Sequence, residues 1–185
     1  GLKVPTAIHA EASSWSVHLA GLRGPSVGLA ARALMLAGST MNYHVQARSV
    51  PTPIGAGRRA WSQISFSRPR TDHEASRISA VIPWGEADLL LGLDRVEALL
   101  SVSPEDLLRV ASSGRTFGVI NIGLFEDQQD REVASQDIRE ITDHFRKLLR
   151  PDGQVIEDFT DLCRWRFLNE RLADLVQLGT AFQLG

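Results

Sequence analysis

A chain of 185 residues with 43% hydrophobic residues falls in the size range of one domain and can bury a sizeable core. With 20 Lys and Arg against 22 Asp and Glu, the formal charge of -2 supplies no electrostatic drive toward nucleic acid or an anionic membrane. The single cysteine, Cys163, excludes an intrachain disulfide and, alone, an iron–sulfur cluster, which takes about four thiolates. No apolar run reaches the roughly 18 residues of a membrane span, and the N-terminal stretch lacks a signal-peptide layout, so a soluble, cytoplasmic protein is expected.

The first element runs from Trp15 to Ala20, an alternating strand that enters the turn Gly21-Leu22-Arg23-Gly24-Pro25-Ser26. Val27, Ala30, Ala31, Leu34 and Met35 then recur at helical spacing, with Pro25 suited to the first turn and Gly38 to the C-terminal stop. Tyr43 to Ala47 reads as a second strand that completes a right-handed βαβ unit. Ser49 to Arg59, with Pro51, Pro53, Gly55 and Gly57, is a loop. Extended character returns at Trp61, Ile64 and Phe66. A polar connection from Arg68 to Ser76 follows, and Ile78 to Ile82 reads as a short strand.

Ala87 to Leu93 is an apolar run typical of a strand buried on both faces, and Asp94 can cap the helix bearing Val96, Leu99 and Leu100. Ser103-Pro104-Glu105-Asp106 reads as another helix start, and Thr116 to Asn121 as a strand. Asp130 to Leu149 is an amphipathic helix ended by Pro151-Asp152-Gly153. Gln154 to Ile156 is a strand, and helical segments occupy the rest. Alternating strands and helices predict a single α/β domain over residues 1–185, three-layer and Rossmann-like, around a mostly parallel central sheet.

Two loops are candidates for chemistry. A glycine turn between strand and helix directs backbone N–H groups at a phosphate or carboxylate, which singles out Gly21, Leu22, Arg23, Gly24 and Ser26. The pattern Gly21-x-x-Gly24-x-x-x-Gly28 is not the dinucleotide fingerprint, however, and Gln46, Ala47 and Arg48 stand where a ribose-binding acid belongs. Tight packing is the competing role of these glycines. In the second loop Arg58 and Arg59, beside Gly55 and Gly57, can present guanidinium groups to a partner's phosphate or carboxylate; the alternative is a solvated basic loop. Asp72-His73-Glu74 lacks metal-ligand spacing, so no metal site is expected. Cys163 reads as a structural thiol, and Trp15, Trp61, Trp84 and Trp165 as dispersed core or interface anchors. No catalytic residue is assigned. Glu126 to Arg131 reads as a solvated helix approach.

Taken in order, these segments resemble the gamma domain of pyruvate, indolepyruvate and related 2-oxoacid:ferredoxin oxidoreductases. The closest likeness is Ile82-Pro83-Trp84-Gly85-Glu86-Ala87-Asp88-Leu89-Leu90-Leu91-Gly92-Leu93-Asp94, against the family pattern I-P-x-G-E-A-D-L-L-L-G-x-D/E. Ala20 to Val27 lies over the family turn A-G-V-G-G-Q-G-V, Gly114-Arg115-Thr116 precedes a strand as in the family, and Asn169 to Gly185 resembles its last helix. The chain departs from the family where Thr52 to Arg59 replaces the G-M-A/S-Q-R/K-G-G-S loop, and where Arg23, Pro25 and Ser26 replace residues of the turn.

The resemblance implies a gamma-type subunit or domain of an indolepyruvate-like 2-oxoacid:ferredoxin oxidoreductase. Such a chain supplies an assembly surface, and part of the active-site wall, for oxidative decarboxylation of a 2-oxoacid to an acyl-CoA. It implies that this chain alone binds no cofactor and is inactive in isolation. Thiamine diphosphate and iron–sulfur clusters are then expected on partner subunits, with ferredoxin an indirect partner and neither nucleic acid nor membrane involved. The alternative is a diverged, non-catalytic anion- or nucleotide-binding regulatory module on the same fold.

Overall fold

The computed structural model describes residues 4–8, 12–22, 24–50, 59–75, 78–106, 108–125 and 137–185. Strand β1 (Ser14–Gly21) leads into helix α1 (Gly24–Thr40), then β2 (His44–Ser49), β3 (Ala60–Ser67), the one-turn α2 (Asp72–Ala75), β4 (Leu89–Gly92) and α3 (Arg95–Val102). Next come β5 (Phe117–Asn121), α4 (Ile138–Leu148), β6 (Gln154–Glu157), α5 (Phe159–Phe167), a 3-10 turn (Glu170–Leu172) and α6 (Ala173–Leu184). The described strands form one six-stranded sheet in the order β2-β3-β1-β4-β5-β6. The β1–β4, β4–β5 and β5–β6 pairs are parallel, whereas β3 runs antiparallel to both β1 and β2. The architecture is the expected α/β, three-layer, mostly parallel one.

Alternation along the strands divides the core. Val17, Leu19, Ile64, Phe66 and Leu91 face α1, α5 and α6, where Ala30, Ala31, Cys163 and Ala173 meet them. Ala20, Leu90 and Ile120 face the other way, onto Ala98 and Val102 of α3 and Ile141, Phe145 and Leu149 at α4. β4 is apolar on both faces because helices cover both.

Four expectations need correction. β2 does not sit beside β1, because β3 inserts between them. β3 is buried almost throughout, whereas β2 ends in the exposed Ala47, Arg48 and Ser49 and is the better edge. Gly38 does not stop α1 but lies inside it, where a Cβ would come within 2.5 Å of the Phe66 ring; the chain leaves the helix through Asn42 at φ 60°. Ile78 to Ile82 forms no strand. Side chains hold it instead, as the Ile82 N–H donates to Gln63 Oε1 and Ser65 Oγ donates to the Ser79 carbonyl. Ser103-Pro104-Glu105-Asp106 starts no helix among the described residues. The Ser103 N–H caps the C-terminus of α3 at the Leu99 carbonyl, and Pro104 then blocks continuation.

The apolar run at Ala87 to Leu93 narrows to β4, and of the helix expected over Asp130 to Leu149 the described part is α4, capped by Asp137. Residues 130–136, and the charged stretch Glu126 to Arg131, lie outside the described residues. No described helix is long and apolar enough to cross a membrane.

Candidate ligand- and partner-facing site

β1 and β4 are parallel neighbours at the middle of the sheet, yet their connections diverge: α1 returns toward β2 on one side and α3 toward β5 on the other. The carboxyl ends of two such strands leave a crevice, the usual place for a ligand in an open α/β sheet. Here it is a recess of about 210 Å³, counting its part open to solvent, lined by Gly21, Leu22, Ser26, Leu93, Asp94, Phe125 and Asp174.

Of the glycine-turn candidates, Gly21, Leu22 and Ser26 line this recess and Gly24 opens α1, while Arg23 lies outside the described residues. The strand register also brings the second loop to the same end of the sheet, because Gly21 pairs with Ala60. Arg59 therefore stands next to the recess strand; Gly55, Gly57 and Arg58 lie outside the described residues. Arg59 is fixed, but inward: Nε donates to Glu97 Oε2 at 2.9 Å and Nη1 to Asp106 Oδ2 at 3.3 Å. Glu97 is only 4% exposed, and burial pushes its carboxyl above the usual range despite the Arg59 hydrogen bond.

Sequence reasoning did not anticipate Phe125 or Asp174 in the recess, and it took Asp94 only as a cap. Asp94 does cap, its Oδ1 accepting the Val96 and Glu97 N–H groups at 2.9 and 3.1 Å, so the α3 N-terminus is served by its own carboxylate. Asp174 is the one charge in the sequence of α6, and that isolation in an apolar helix was the legible sign. Two carboxylates thus line the place a phosphate would enter.

Below Arg59 on the sheet, His18 is fully buried, stacked on Trp61 with ring centroids 6.1 Å apart, and neither ring nitrogen has a hydrogen-bond partner. Burial, with the Arg59 charge adding to it, lowers its pKa from 6.5 to about 3. Cys163 is buried, and burial with nearby Asp174 raises its pKa, so it has the character of an inert core thiol. Among the described residues no group of His, Cys, Asp and Glu could hold a metal ion.

The segment Ile82 to Asp94 shows what its pattern is for. Pro83 to Glu86 is a tight turn with Gly85 at φ 72°, a conformation that favours glycine, and Ser112 Oγ donates to the Gly85 carbonyl at 2.7 Å. Buried Asp88 accepts the Ser16 N–H at 2.8 Å and the Arg115 guanidinium at 2.8 Å, tying β1 to β4. Thr116 Oγ1 donates to the Ala87 carbonyl. Gln177 of α6 sends its Nε2 to the carbonyls of Gly92 and Val119. Segments read separately in the sequence, at Ile82 to Asp94, Gly114 to Thr116 and Asn169 to Gly185, therefore converge on one strand.

No protein-family model and no curated protein matches the sequence. Solved structures do match its fold. Over 90% of this chain and 74% of the other, it is similar to the crystal structure of pyruvate oxidoreductase subunit PORC from Thermotoga maritima, with a TM-score of 0.56 and 15% identity. The keto/oxoacid ferredoxin oxidoreductase gamma subunit from Geobacter sulfurreducens PCA matches over 89% and 73%, with a TM-score of 0.50 and 16% identity. At these identities the likeness is one of fold, and the structural neighbours are the gamma subunits toward which the sequence motifs point.

Proposed function

We propose that the chain is a gamma-type subunit or domain of a 2-oxoacid:ferredoxin oxidoreductase, indolepyruvate-like in its substrate. In this reading it contributes assembly surface and a wall of the active site, and is silent alone. The observation that carries it is the convergence on β4. The segment resembling the family pattern supplies the turn, the Asp88 strut and the Asp94 cap, and the other two resembling segments bond to that same strand. The shared fold of the two oxidoreductase subunits supports it.

The residues present do not fit an iron–sulfur cluster, since the one thiol is buried Cys163. Clusters and thiamine diphosphate, which supplies the carbanion chemistry of decarboxylation, are accordingly assigned to partner subunits. The alternative of an anion-binding module is less favoured, because Asp94 and Asp174 line the recess.

Affinity purification of the chain from its native source tests the assignment. The expected result is co-isolation of thiamine- and cluster-bearing subunits that reduce a viologen dye when given a 2-oxoacid and CoA, with no reduction by the chain alone. Recovery of the native chain without any such partner would overturn it.

A further inference from the structure

The helices on the two sides of the sheet present different surfaces to water. α4 exposes Arg139, Glu140, Asp143 and Lys147, as a solvated helix does. On the opposite side α1 carries one charged residue in its whole length, Arg32, and α6 carries only Asp174, which is buried. Outward from α1 stand Leu29, Ala33 and Leu36; outward from α6 stand Leu175, Gly179 and Phe182. Both triplets have the spacing of a single helix face, and the two helices pack against each other. Leu36 is 70% and Phe182 66% exposed. A helix apolar on its outer as well as its inner face belongs inside an assembly.

The two stripes share a shape, large–small–large. Leu29 and Leu36 flank Ala33, and Leu175 and Phe182 flank Gly179, where a Cβ would meet nothing within 4 Å. Two copies of such a surface can interdigitate about a two-fold axis, each large side chain opposite a small one. Because the stripes are uncharged, like meets like without electrostatic cost, and Arg32 alone offers a charged partner anything to read. The exposed apolar side chains of α1, α5 and α6, Trp165 at 76% among them, amount to an area on the order of 800 Å², taking ~150–250 Å² per aromatic and somewhat less per leucine. That is about what one partner contributes to a standard stable interface. Two-fold pairing is also the commonest closed assembly of identical chains. We infer that a second copy of this chain docks on the α1–α6 face in an isologous pair, a contact separate from any made with subunits of other kinds.

Sedimentation equilibrium of the chain tests this. The wild type is expected at twice 20.3 kDa, and Leu36→Glu and Phe182→Glu each at the single-chain mass with an unchanged thermal melt, while Val81→Glu, on an exposed residue outside both helices, keeps the pair. Hydrogen exchange of the wild type gives a readout that needs no variant: peptides covering 29–36 and 175–182 gain protection as concentration rises. A wild type that stays a single chain, in which case some other partner or surface covers this face, overturns the inference. So does a pair that survives both substitutions, or exchange in those peptides that does not change with concentration.

Discussion

His18 has its ordinary basicity in the unfolded chain but is lowered to about 3 when buried between the sheet and Trp61. The unfolded state therefore binds the extra proton first, and stability falls as pH drops below 6.5, continuing to about 3. The slope of one proton is ~1.4 kcal/mol per pH unit, so the fold loses ~2 kcal/mol between pH 6.5 and 5 from this residue. Glu97 acts with the opposite sign, since its raised pKa lets the folded state take up a proton more readily as pH falls. Urea titrations at the two pH values, on wild type and His18→Leu, separate the two. The variant is expected to lose most of the decline, and an equal decline in both would refute the assignment. None of this was legible in the sequence, where His18 is one of several scattered histidines. Alternation fixes which face of β1 it takes, but only the inserted β3 places Trp61 and Arg59 against it. The same holds for Arg59, read correctly as a fixed guanidinium, though its Glu97 and Asp106 partners come from segments about 40 residues away that no local pattern connects.

At the scale of elements, α1 tests how closely helix and sheet are fitted. Gly38 lies over Phe66 with no room for a methyl group, because the fully buried ring cannot move aside, while a Cβ at Gly28 would meet nothing within 4 Å. Gly38→Ala is expected to destabilise by roughly 1–3 kcal/mol. Gly28→Ala, in the same helix, should stabilise by roughly 0.5–1 kcal/mol through propensity alone. Thermal melts of the two variants check this, and a Gly38→Ala protein as stable as wild type would show that the helix can lift off the strand. Most elements were readable because their signals are local: the alternation of β1, the apolar run of β4, the Asp94 cap, and the Pro151-Asp152-Gly153 stop after α4. The failures share a cause. Gly38 resembles a stop because a glycine needed for close approach looks the same as one needed for a turn. Ser103-Pro104 resembles a start because a C-cap followed by proline and acids has the composition of an N-terminus. The reversed direction of β3 is set by its partners on both sides, which its own residues do not name.

For the whole molecule, the recess at the ends of β1 and β4 decides between an independent binding module and a component of something larger. Its volume, about 210 Å³, is below the ~300–1,000 Å³ of a typical small-molecule pocket, and two of its lining residues are acids. Calorimetric titration of the isolated chain with nucleotides, CoA and 2-oxoacids is therefore expected to give no binding heat. Saturable heat with any of them would favour the regulatory module. The sequence located this end of the molecule through the glycine turn, but not its acidic lining, since Asp174 reaches the turn from the far end of the chain.

The Ser16–Asp88 hydrogen bond joins residues 72 positions apart, across strands that are neighbours in the sheet. On a ribosome adding ~5–20 residues per second, Ser16 is made roughly 4–14 s before Asp88 exists. The central strand of the sheet is thus the first to be synthesised, and through that interval its inner edge has no partner to pair with. β3 emerges earlier than β4 and covers the opposite edge along the whole of β1. The antiparallel strand that interrupts an otherwise parallel order consequently leaves only one open edge during synthesis, the edge that β4 later closes.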